Sequence, residues 1–290
     1  MVKNGHLPPS PSSLPEVPFA RGEGAAFGVE VLALEELRSR ELDHSIFRAH
    51  RIEFHVLVVA TGGSGWHMVD FVQHPLRRGT LTHIAPGQVQ RYDGESDVAG
   101  FLVLFLPEVC ALEAPHVRWP PCFSPAGADF ELVESLVQLM FGLKARRLST
   151  PPDRIAWQML GAVLELCDGA VARHLVREGA TRSAEFEAFD ALLEREFPRR
   201  RELAWYAREL GYSERTLSRW SRRVAGVSAK THIDRRVGLE AKRLLVHTDR
   251  SVEGIAARLG FSESTNFVKF FKRVEGTTPS AFRRSYAGGR

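Results

Sequence analysis

Two segments near the C-terminus place basic and small polar side chains at the spacing of one helical face. The first segment contributes Arg215, Ser218, Arg219 and Arg222, and the second contributes Ser264, Thr265, Lys269 and Lys272. Arginine and lysine donate to guanine O6 and N7 and neutralise phosphates, while serine and threonine hydroxyls bond bases or phosphates. These eight residues are candidate DNA-binding residues, and the partner that their chemistry predicts is double-stranded DNA.

The segments that carry these side chains repeat one another. Ala204–Arg219 and Gly254–Lys269 each contain a short helix with a small alanine, a Leu-Gly-aromatic-Ser turn and the start of a second helix. Ala207 and Ala257 are expected to be buried, because a small side chain lets a second helix cross closely over the first. Each segment is therefore predicted to be a helix-turn-helix unit whose second helix fits the major groove of DNA.

Each residue of the repeated turn has a predicted role. The glycine permits the left-handed backbone that ends a helix, the aromatic residue fills the corner between the helices, and the serine caps the next helix. These residues are Gly211, Tyr212 and Ser213 in the first unit and Gly260, Phe261 and Ser262 in the second.

The segment 229–246 between the two units carries one apolar stripe at helical spacing. A continuous helix of that length is about 27 Å long at 1.5 Å per residue, and one turn of B-DNA is about 34 Å. Such a linker helix could place two recognition helices in successive major grooves. The alternative is a pair of ordinary helical hairpins in a bundle, with no role in binding DNA.

Charge is divided unevenly along the 290 residues. Pro198–Arg290 has 21 Lys and Arg against 9 Asp and Glu, a net charge of +12, whereas Met1–Phe197 has 18 against 26, a net charge of −8. A basic C-terminal part on an acidic body predicts a polyanionic partner for that part alone. A solvated basic face with no partner would give the same charge. The evidence that favours DNA is therefore the repeated helix-turn-helix pattern.

Residues 186–287 resemble the DNA-binding domain of the AraC/XylS family of transcription regulators. The motifs that carry the resemblance are Leu-Gly-Tyr-Ser in the first turn, Leu239 to Leu245, Gly260-Phe261-Ser262, Phe267 to Lys272, and Gly276-Thr277-Thr278-Pro279. The resemblance implies that base-reading positions fall on Arg215, Ser218, Arg219, Ser264, Thr265 and Lys269. It also implies contact with RNA polymerase if the protein is an activator.

The chain departs from the family pattern at three positions. Ser221 stands where the family usually has phenylalanine, and Ala229 where it has proline. Trp220 is expected to fill the volume that the missing phenylalanine leaves. Val268 occupies a position that is often polar, which weakens the expectation of a hydrogen bond to a base there.

The N-terminal half has a different pattern. Short strand-like runs, such as Phe54–Ala60, Leu81–Ile84 and Phe101–Leu106, follow one another between Gly- and Pro-containing turns, which is typical of a small sandwich or barrel. This part resembles the cupin-type sensor domain that many AraC/XylS members carry. The resemblance implies a β-barrel that can enclose a small-molecule effector.

The candidate effector-binding residues are His50, Arg51, His55, Trp66, His67 and Gln90. Arg51 would suit an acidic effector through paired hydrogen bonds. One alternative is a filled barrel that serves only in dimerisation. His55, His67 and His83 could also be ordinary strand histidines on a wall or surface, with no role as metal ligands.

A second alternative is a metal-dependent cupin enzyme with a DNA-binding appendage. His50, Glu53 and His55 lie near the first metal-binding place of that fold, but their spacing differs from it. Gln90 stands where a later histidine would be, and an amide is a poor ligand for a transition metal. No metal site and no cofactor is therefore predicted.

The predicted fold class is α+β: an N-terminal cupin-like β-barrel, a helical connector and an all-α C-terminal domain with two helix-turn-helix units joined by a linker helix. The predicted domains are a flexible Pro-rich arm (1–25), the sensor (26–115), a connector that also dimerises (116–185) and the DNA-binding domain (186–290). Helical stripes within the connector predict its helices and favour a homodimer.

Several classes of function lack a motif. There is no Ser-His-Asp triad, phosphate-binding glycine loop or H-E-x-x-H helix, so the chain is not expected to be an enzyme. A DNA-repair protein with an alkyl-accepting cysteine is disfavoured, because Cys110, Cys122 and Cys167 lie in no reactive setting. With no signal peptide and no apolar run of about 18–20 residues, the protein is expected in the cytoplasm without a membrane partner.

Overall fold

The computed structural model describes residues 16–17, 19, 28–39, 47–94, 96–109, 119–143, 145–146, 148, 150–177 and 183–287. The chain forms two compact units, one over Pro15–Glu178 and one that includes Gly179–Arg290. The first unit combines a β-barrel with helices, and the second consists of helices in the part described.

Ten strands form two five-stranded sheets in the described part of the first unit. The strands are β1 (Glu16–Val17), β2 (Val29–Ala33), β3 (His50–Ile52), β4 (His55–Gly62), β5 (Ser64–Val69), β6 (Val72–Arg77), β7 (Leu81–Ile84), β8 (Val89–Tyr92), β9 (Ala99–Phe105) and β10 (Cys122–Phe123). The first sheet has the order β1-β3-β8-β5-β6 and the second has the order β10-β7-β4-β9-β2.

The two sheets enclose one apolar core. Val58 and Leu102 of the second sheet belong to the same buried cluster as Ile52, Val69 and Leu76 of the first sheet. Because side chains alternate along a strand, the next residues of β4, β7 and β9 face the other side of the second sheet. This double-sheeted barrel confirms the predicted fold of the N-terminal half.

The outer face of the second sheet is covered by helices. The unit also contains α1 (Leu34–Ser39), α2 (Gly127–Leu143) and α3 (Pro152–Arg177). Leu57 and Val103 of the sheet share a buried cluster with Val137 of α2 and with Leu160 and Val163 of α3. The helices predicted as a connector are thus part of the packing of the barrel.

Within the predicted arm, Glu16–Val17 adds a strand in parallel to β3, in register with Arg51 and Ile52. Phe19 packs edge-on against Phe54, with 5.4 Å between the ring centroids. These residues are therefore attached to the barrel, whereas the rest of the predicted arm lies outside the described residues.

The turn between β5 and β6 was not predicted from the sequence. β5 and β6 are joined by Asp70 and Phe71, which both have positive φ angles, 49° and 71°. A two-residue loop of this kind matches the twist of a hairpin but usually contains Asn or Gly. Asp70 compensates in part, because its carboxylate accepts hydrogen bonds from the amide of Val89 and the side chain of Gln88.

The described part of the second unit contains seven helices. They are α4 (Ala184–Glu196), α5 (Leu203–Glu209), α6 (Glu214–Ala225), α7 (Ala229–His247), α8 (Val252–Arg258), α9 (Ser264–Glu275) and α10 (Pro279–Ala287). α5 and α6 form the first helix-turn-helix unit, α8 and α9 form the second, and α7 is the predicted linker helix. The repeat in the sequence is therefore confirmed as a structural duplication.

The second helix-turn-helix unit has one more residue in its turn than the first helix-turn-helix unit. α6 and its left-handed cap Gly226 correspond to α9 and Gly276 at a separation of 50 residues, whereas Gly211 and Gly260 before the turns are 49 residues apart. Both turn glycines have the expected left-handed conformation, with φ of 71° and 74°. The extra residue lies between Phe261 and the start of α9.

This extra residue explains two wrong predictions. Ser213 caps α6 by accepting the amide of Thr216, but Ser262 does not cap α9, whose first position is preceded by Glu263 without a side-chain cap. Ala257 is exposed, and the buried counterpart of Ala207 is Ala256. Ser262 does not cap α9 because the extra residue places it one position too far from the start of that helix.

The two corners are also packed differently. Phe261 is 9% exposed, whereas Tyr212 is 42% exposed, so Tyr212 does not fill its corner as predicted. The ring of Tyr212 stands edge-on to Trp220 at 4.6 Å between centroids. Ser221, at the position of Phe271 in the second unit, is fully buried, and its hydroxyl has no hydrogen-bond partner among the described residues.

The linker helix α7 contacts both helix-turn-helix units and also α10. Its stripe Ile233, Val237 and Ala241 is fully buried in a cluster that includes Leu217 of α6 and Phe267 of α9. At the far end of α7, Arg283 of α10 donates hydrogen bonds to the carbonyl groups of Leu245, Thr248 and Arg250. The linker is thus fixed along its length and at its C-terminal end.

A stretch of α3, Arg154–Arg173, is long and apolar enough to cross a membrane by length and composition. No such run was expected from the sequence. Leu160, Val163, Leu164 and Cys167 of this stretch lie in the buried cluster against the sheet. Because a core helix passes the same test, this feature is weak evidence for a membrane span.

We predict that Ser221→Ala raises the free energy of unfolding by about 1 kcal/mol, because it removes a buried hydroxyl that gains no hydrogen bond. The matched variant is Ser213→Ala on the same helix, which loses a helix cap and should lower the free energy of unfolding by about 1 kcal/mol. Guanidinium chloride titration of the full chain measures both. An unchanged or less stable Ser221→Ala protein would show that the hydroxyl is satisfied.

Candidate nucleic-acid interface and effector site

The outward face of α6 is a stripe of arginines. Leu217 and Ser221 point into the core, and Arg215, Arg219 and Arg222 are exposed on the opposite side, at the i, i+4 and i+7 spacing of one face. Ser218 lies at the edge of this stripe and is half-buried. The four predicted DNA-binding residues of the first unit therefore share one surface.

The corresponding face of α9 carries different side chains. Phe267 and Phe271 point inward, and Thr265, Lys269 and Lys272 are exposed opposite them. Ser264 is half-buried at the first position of the helix and lies away from this stripe. Three of the four predicted residues of the second unit thus share one face.

Sequence reasoning missed three polar residues that flank these stripes. Arg223 on α6 and Asn266 and Arg273 on α9 are exposed beside them. Helical spacing would have found Arg223 and Arg273, since they stand at equivalent positions, 50 residues apart. Asn266 stands at the position of Thr216, and the extra residue in the second turn hides this correspondence in the sequence.

Ion pairs hold the helices around the linker. Arg273 of α9 contacts the carboxylate of Asp234 at 3.1 Å, and Lys242 contacts Glu275 at 3.0 Å. Arg236 of the linker contacts Glu194 of α4 at 2.7 Å. These contacts fix α9 and α4 on α7, so the outward stripe of α9 has a defined direction.

Three of the six candidate effector-binding residues meet inside the barrel. The side-chain amide of Gln90 lies 3.0 Å from Nε2 of His67 and 3.1 Å from Nε2 of His50. All three side chains are buried, on neighbouring strands of the first sheet. They form a continuous polar row across that sheet, and His50 extends it to the carbonyl group of Arg48.

The other three candidates lie elsewhere. Arg51 and Trp66 alternate with His50 and His67 along their strands, so they face the outside of the first sheet, where Trp66 stacks under the guanidinium of Arg91 at 5.0 Å. His55 lies on the outer face of the second sheet. The structure therefore does not bring the six residues together in one site.

His55 belongs to an aromatic cluster between the second sheet and its helices. Its Nδ1 lies 3.0 Å from Nε2 of His83, and its ring stacks on Phe105 at 4.9 Å. His83 in turn contacts Trp119 edge-on. These contacts match the alternative in which His55 and His83 are strand histidines that take part in packing.

One cleft opens into the barrel from its end. It is narrow, with an interior volume of about 10 Å³, room for little more than a water molecule, and it is lined by Leu34, Phe47, Leu76, Tyr92, Asp93, Ser96 and Val98. The hydroxyl of Tyr92 is buried and has no hydrogen-bond partner among the described residues. The ring of Tyr92 lies 4.1 Å from that of His67, so the cleft adjoins the polar row.

Burial controls the protonation of these histidines. Desolvation lowers the pKa of His67 and of His83 to about 3, and it lowers the pKa of His55 to about 4. The pKa of His50 is also lowered by burial. All four imidazoles are therefore neutral at pH 7, which suits their hydrogen bonds to one another and to Gln90.

The described residues contain no group of three or more His, Cys, Asp or Glu side chains that could hold a metal ion. Glu53 is exposed, and His50 and His55 belong to different sheets. His50, Glu53 and His55, the residues weighed as ligands in the sequence, are therefore not brought together.

The thiols also give no sign of a reactive centre. Burial raises the pKa of the Cys122 and Cys167 thiols, which disfavours the thiolate that a nucleophile needs. Cys110 lies outside the described residues.

A duplicated helix-turn-helix domain with basic outward faces, on a chain that also carries a double-sheeted barrel, defines a DNA-binding transcription regulator. Residues 206–285 match the family described as "Helix-turn-helix domain", and residues 32–118 match the family described as "AraC-like ligand binding domain". The chain thus carries an AraC-type DNA-binding domain and an AraC-like ligand-binding domain, and it is homologous to the AraC-family activators.

Curated relatives agree over most of the chain. The HTH-type transcriptional activator RhaS of Klebsiella pneumoniae (strain 342) is 24% identical over 271 residues, which cover 89% of this chain and 93% of the relative. RhaS of Salmonella arizonae is 26% identical over 260 residues, with 84% and 90% covered. These relatives are regulators, so the enzyme alternative has no support from them.

Solved structures with similarity include the DNA-binding domain of AdpA in complex with a target DNA. It is 27% identical, covers 37% of this chain and 97% of that chain, and has a TM-score of 0.34. ToxT of Vibrio cholerae strain SCE256, bound to an unsaturated fatty acid, is 12% identical, covers 88% and 93% of the two chains, and has a TM-score of 0.43.

We predict that acidification from pH 7 to pH 5 destabilises the barrel by up to about 2 kcal/mol for each buried histidine. Their folded-state pKa values lie below the unfolded value of 6.5. Between these values the unfolded chain binds more protons, so stability falls as the pH is lowered through 6.5.

Denaturant titrations at pH 7, 6 and 5 measure this effect. His83→Asn, which keeps a polar side chain but cannot become charged, should flatten the pH dependence relative to the unchanged chain. A stability that does not vary over this range would contradict the buried, neutral state of the histidines.

Proposed function

We propose that the protein is an effector-gated transcription regulator that inserts α6 and α9 into successive major grooves of one DNA site. The observation that carries this proposal is the pair of outward basic stripes on corresponding helices of a duplicated unit. α7 has 19 residues and is about 29 Å long, close to the 34 Å or so of one DNA turn. Arg215, Arg219 and Lys269 are the residues proposed to read base edges.

Lys272 and Arg222 are proposed to neutralise phosphates. They are exposed in the last turns of α9 and α6, whereas base contacts come mainly from the N-terminal part of a recognition helix. Ser218 and Thr265 lie beside the predicted base-reading side chains and supply hydroxyl groups. Ser264, at the first position of α9, is proposed to contact the DNA backbone.

The sign of regulation is proposed from the relatives. The RhaS proteins that the chain matches over most of its length are named transcriptional activators. We therefore propose activation, with RNA polymerase as a second macromolecular partner and the cytoplasm as the location.

The proposed effector site is the cleft at the end of the barrel. Its lining is mainly apolar, and the hydroxyl of the lining residue Tyr92 is buried without a hydrogen-bond partner among the described residues. An effector with an apolar body and one hydrogen-bonding group would satisfy this hydroxyl once the cleft opens to admit it, and binding in only that arrangement of the protein would gate its activity.

A homodimer is proposed through α2. Leu132 and Leu139 are 54% and 47% exposed, and with Leu136 they form one stripe on this helix. The three leucines lie on the side of α2 away from its buried residues Val133, Val137 and Met140. The same helix of a second copy, packed in a two-fold arrangement, would therefore cover the leucines.

We predict that Leu139→Lys shifts the protein from dimer to monomer, because a charge within the stripe must be desolvated on association. Gln138→Lys adds the same charge beside the stripe and is the matched control. Sedimentation velocity over a range of concentrations measures the association. An equal effect of both variants, or a wild-type monomer, would contradict this interface.

For DNA binding, we predict that Arg219→Ala weakens binding to the specific site by about 1–3 kcal/mol and weakens binding to random DNA less. Arg219→Lys is the control that keeps the charge but loses the two-pronged hydrogen bond. It should bind random DNA like the unchanged protein and still lose affinity for the specific site.

Footprinting of DNA next to the protein's own gene supplies the specific site, and titrations at fixed salt give the affinities. Equal losses on specific and random DNA would make Arg219 a phosphate contact. A footprint that spans only one groove contact for each chain would contradict the insertion of two helices.

A further inference from the structure

We propose that the two recognition helices read DNA half-sites of different composition: α6 reads guanine and α9 reads an A·T pair through the thymine methyl group. This inference rests on the proposed function and names the sequence class of its DNA partner. It follows from the extra residue in the second turn, which changes which side chains of the two helices correspond.

With the helices aligned at 50 residues, the outward positions pair Arg215 with Thr265 and Arg219 with Lys269. At the edge of the stripe, Ser218 pairs with Val268. A duplicated fold that read two copies of one sequence would carry like side chains at these positions. Instead, two of the three pairs near the helix N-terminus, where side chains reach base edges, differ in chemistry, and only Arg219 and Lys269 share a positive charge.

On α6 the reading positions favour guanine. Arg215 and Arg219 are both exposed and four residues apart, so their side chains lie about one helical turn from each other. Each guanidinium can donate two hydrogen bonds to O6 and N7 of a guanine, the commonest specific contact in the major groove. The next outward residue, Arg222, continues the stripe of positive charge.

On α9 the side chains at the first and edge positions favour thymine, and Lys269 can donate to the O4 acceptor of the same base. Val268 is half-buried and lies outside the buried cluster that holds Phe267 and Phe271, so part of its side chain is open at the edge of the outward stripe. It has no polar atom, and the apolar feature of the major groove is the C5-methyl group of thymine. Thr265, four residues from Lys269 on the stripe, adds a second methyl group.

The packing of α9 suits this kind of contact. A methyl-to-methyl contact depends on close approach, so the helix that makes it must be held in place. α9 is fixed by Phe267 and Phe271 in the core and by the ion pairs of Arg273 and Glu275 to the linker helix. α6 has Ser221 in place of the second phenylalanine, and its long arginines can adapt to small shifts of the helix.

The test begins with selection of binding sites from random duplex DNA by the full-length protein. We expect one asymmetric site that has guanines in the major groove contacted by α6 and an A·T pair in the next major groove, contacted by α9. If selection yields no site, the proposed function fails. If it yields two like half-sites, the proposed function stands and this inference is overturned.

Base analogues then test each contact on the selected site. Replacing the contacted thymine by uracil removes only the C5-methyl group and should weaken binding about three- to fivefold, the effect of one buried methyl group. Replacing the contacted guanine by 7-deazaguanine removes N7 and should weaken binding about tenfold.

Two variants assign these effects to the helices. Val268→Ser, which copies the side chain at the equivalent position of α6, should lose the difference between thymine and uracil and keep the response to 7-deazaguanine. Arg219→Lys should show the reverse. A Val268→Ser protein that still distinguishes thymine from uracil would overturn the assignment of the methyl contact to α9, and Val268→Thr, close in shape to valine, provides a check on folding.

Discussion

The DNA-binding unit depends on the burial of one face of its linker helix. Ile233, Val237 and Ala241 are excluded from solvent, and both helix-turn-helix units pack against this stripe. Neither unit has a core of its own that is separate from α7, because Leu217 and Phe267 belong to the same apolar cluster. The separation of the two recognition helices is therefore a property of the core.

The two helix-turn-helix units share the residues that fix the backbone and differ in several side chains around it. The left-handed glycines, the small alanine at the helix crossing and the terminal glycine caps recur in both units. The corner residue, the helix cap and the second inward position do not recur. Conformations that only glycine adopts at low cost constrain the sequence strongly, whereas a corner can be filled by a phenylalanine or left partly open beside a tyrosine.

The sequence predicted the helical domain well, because glycine turns, capping serines and apolar spacing act locally. The repeat, the linker helix and the outward residues of α6 could all be identified in this way. The errors at Ala257 and Ser262 came from one inserted residue that leaves the pattern of residue types almost intact. Only the positions of the helix ends reveal it.

The barrel was harder to predict at the level of side chains. β4 is buried over six consecutive residues, since one face meets the other sheet and the other meets α2 and α3. Alternation of apolar and polar residues therefore gives no sign of which face points inward. For that reason His55 was grouped with His50 and His67, although the sheet separates it from them.

The shared core of the second sheet and the two long helices has a consequence for modular exchange. A hybrid regulator that took its sensor only as far as residue 115 would leave Leu57 and Val103 without their cover of Val137, Leu160 and Val163. A graft that continues to residue 178 carries both layers together. A hybrid between two relatives that keeps the sensor and its two long helices intact should therefore have its junction in the short segment before α4.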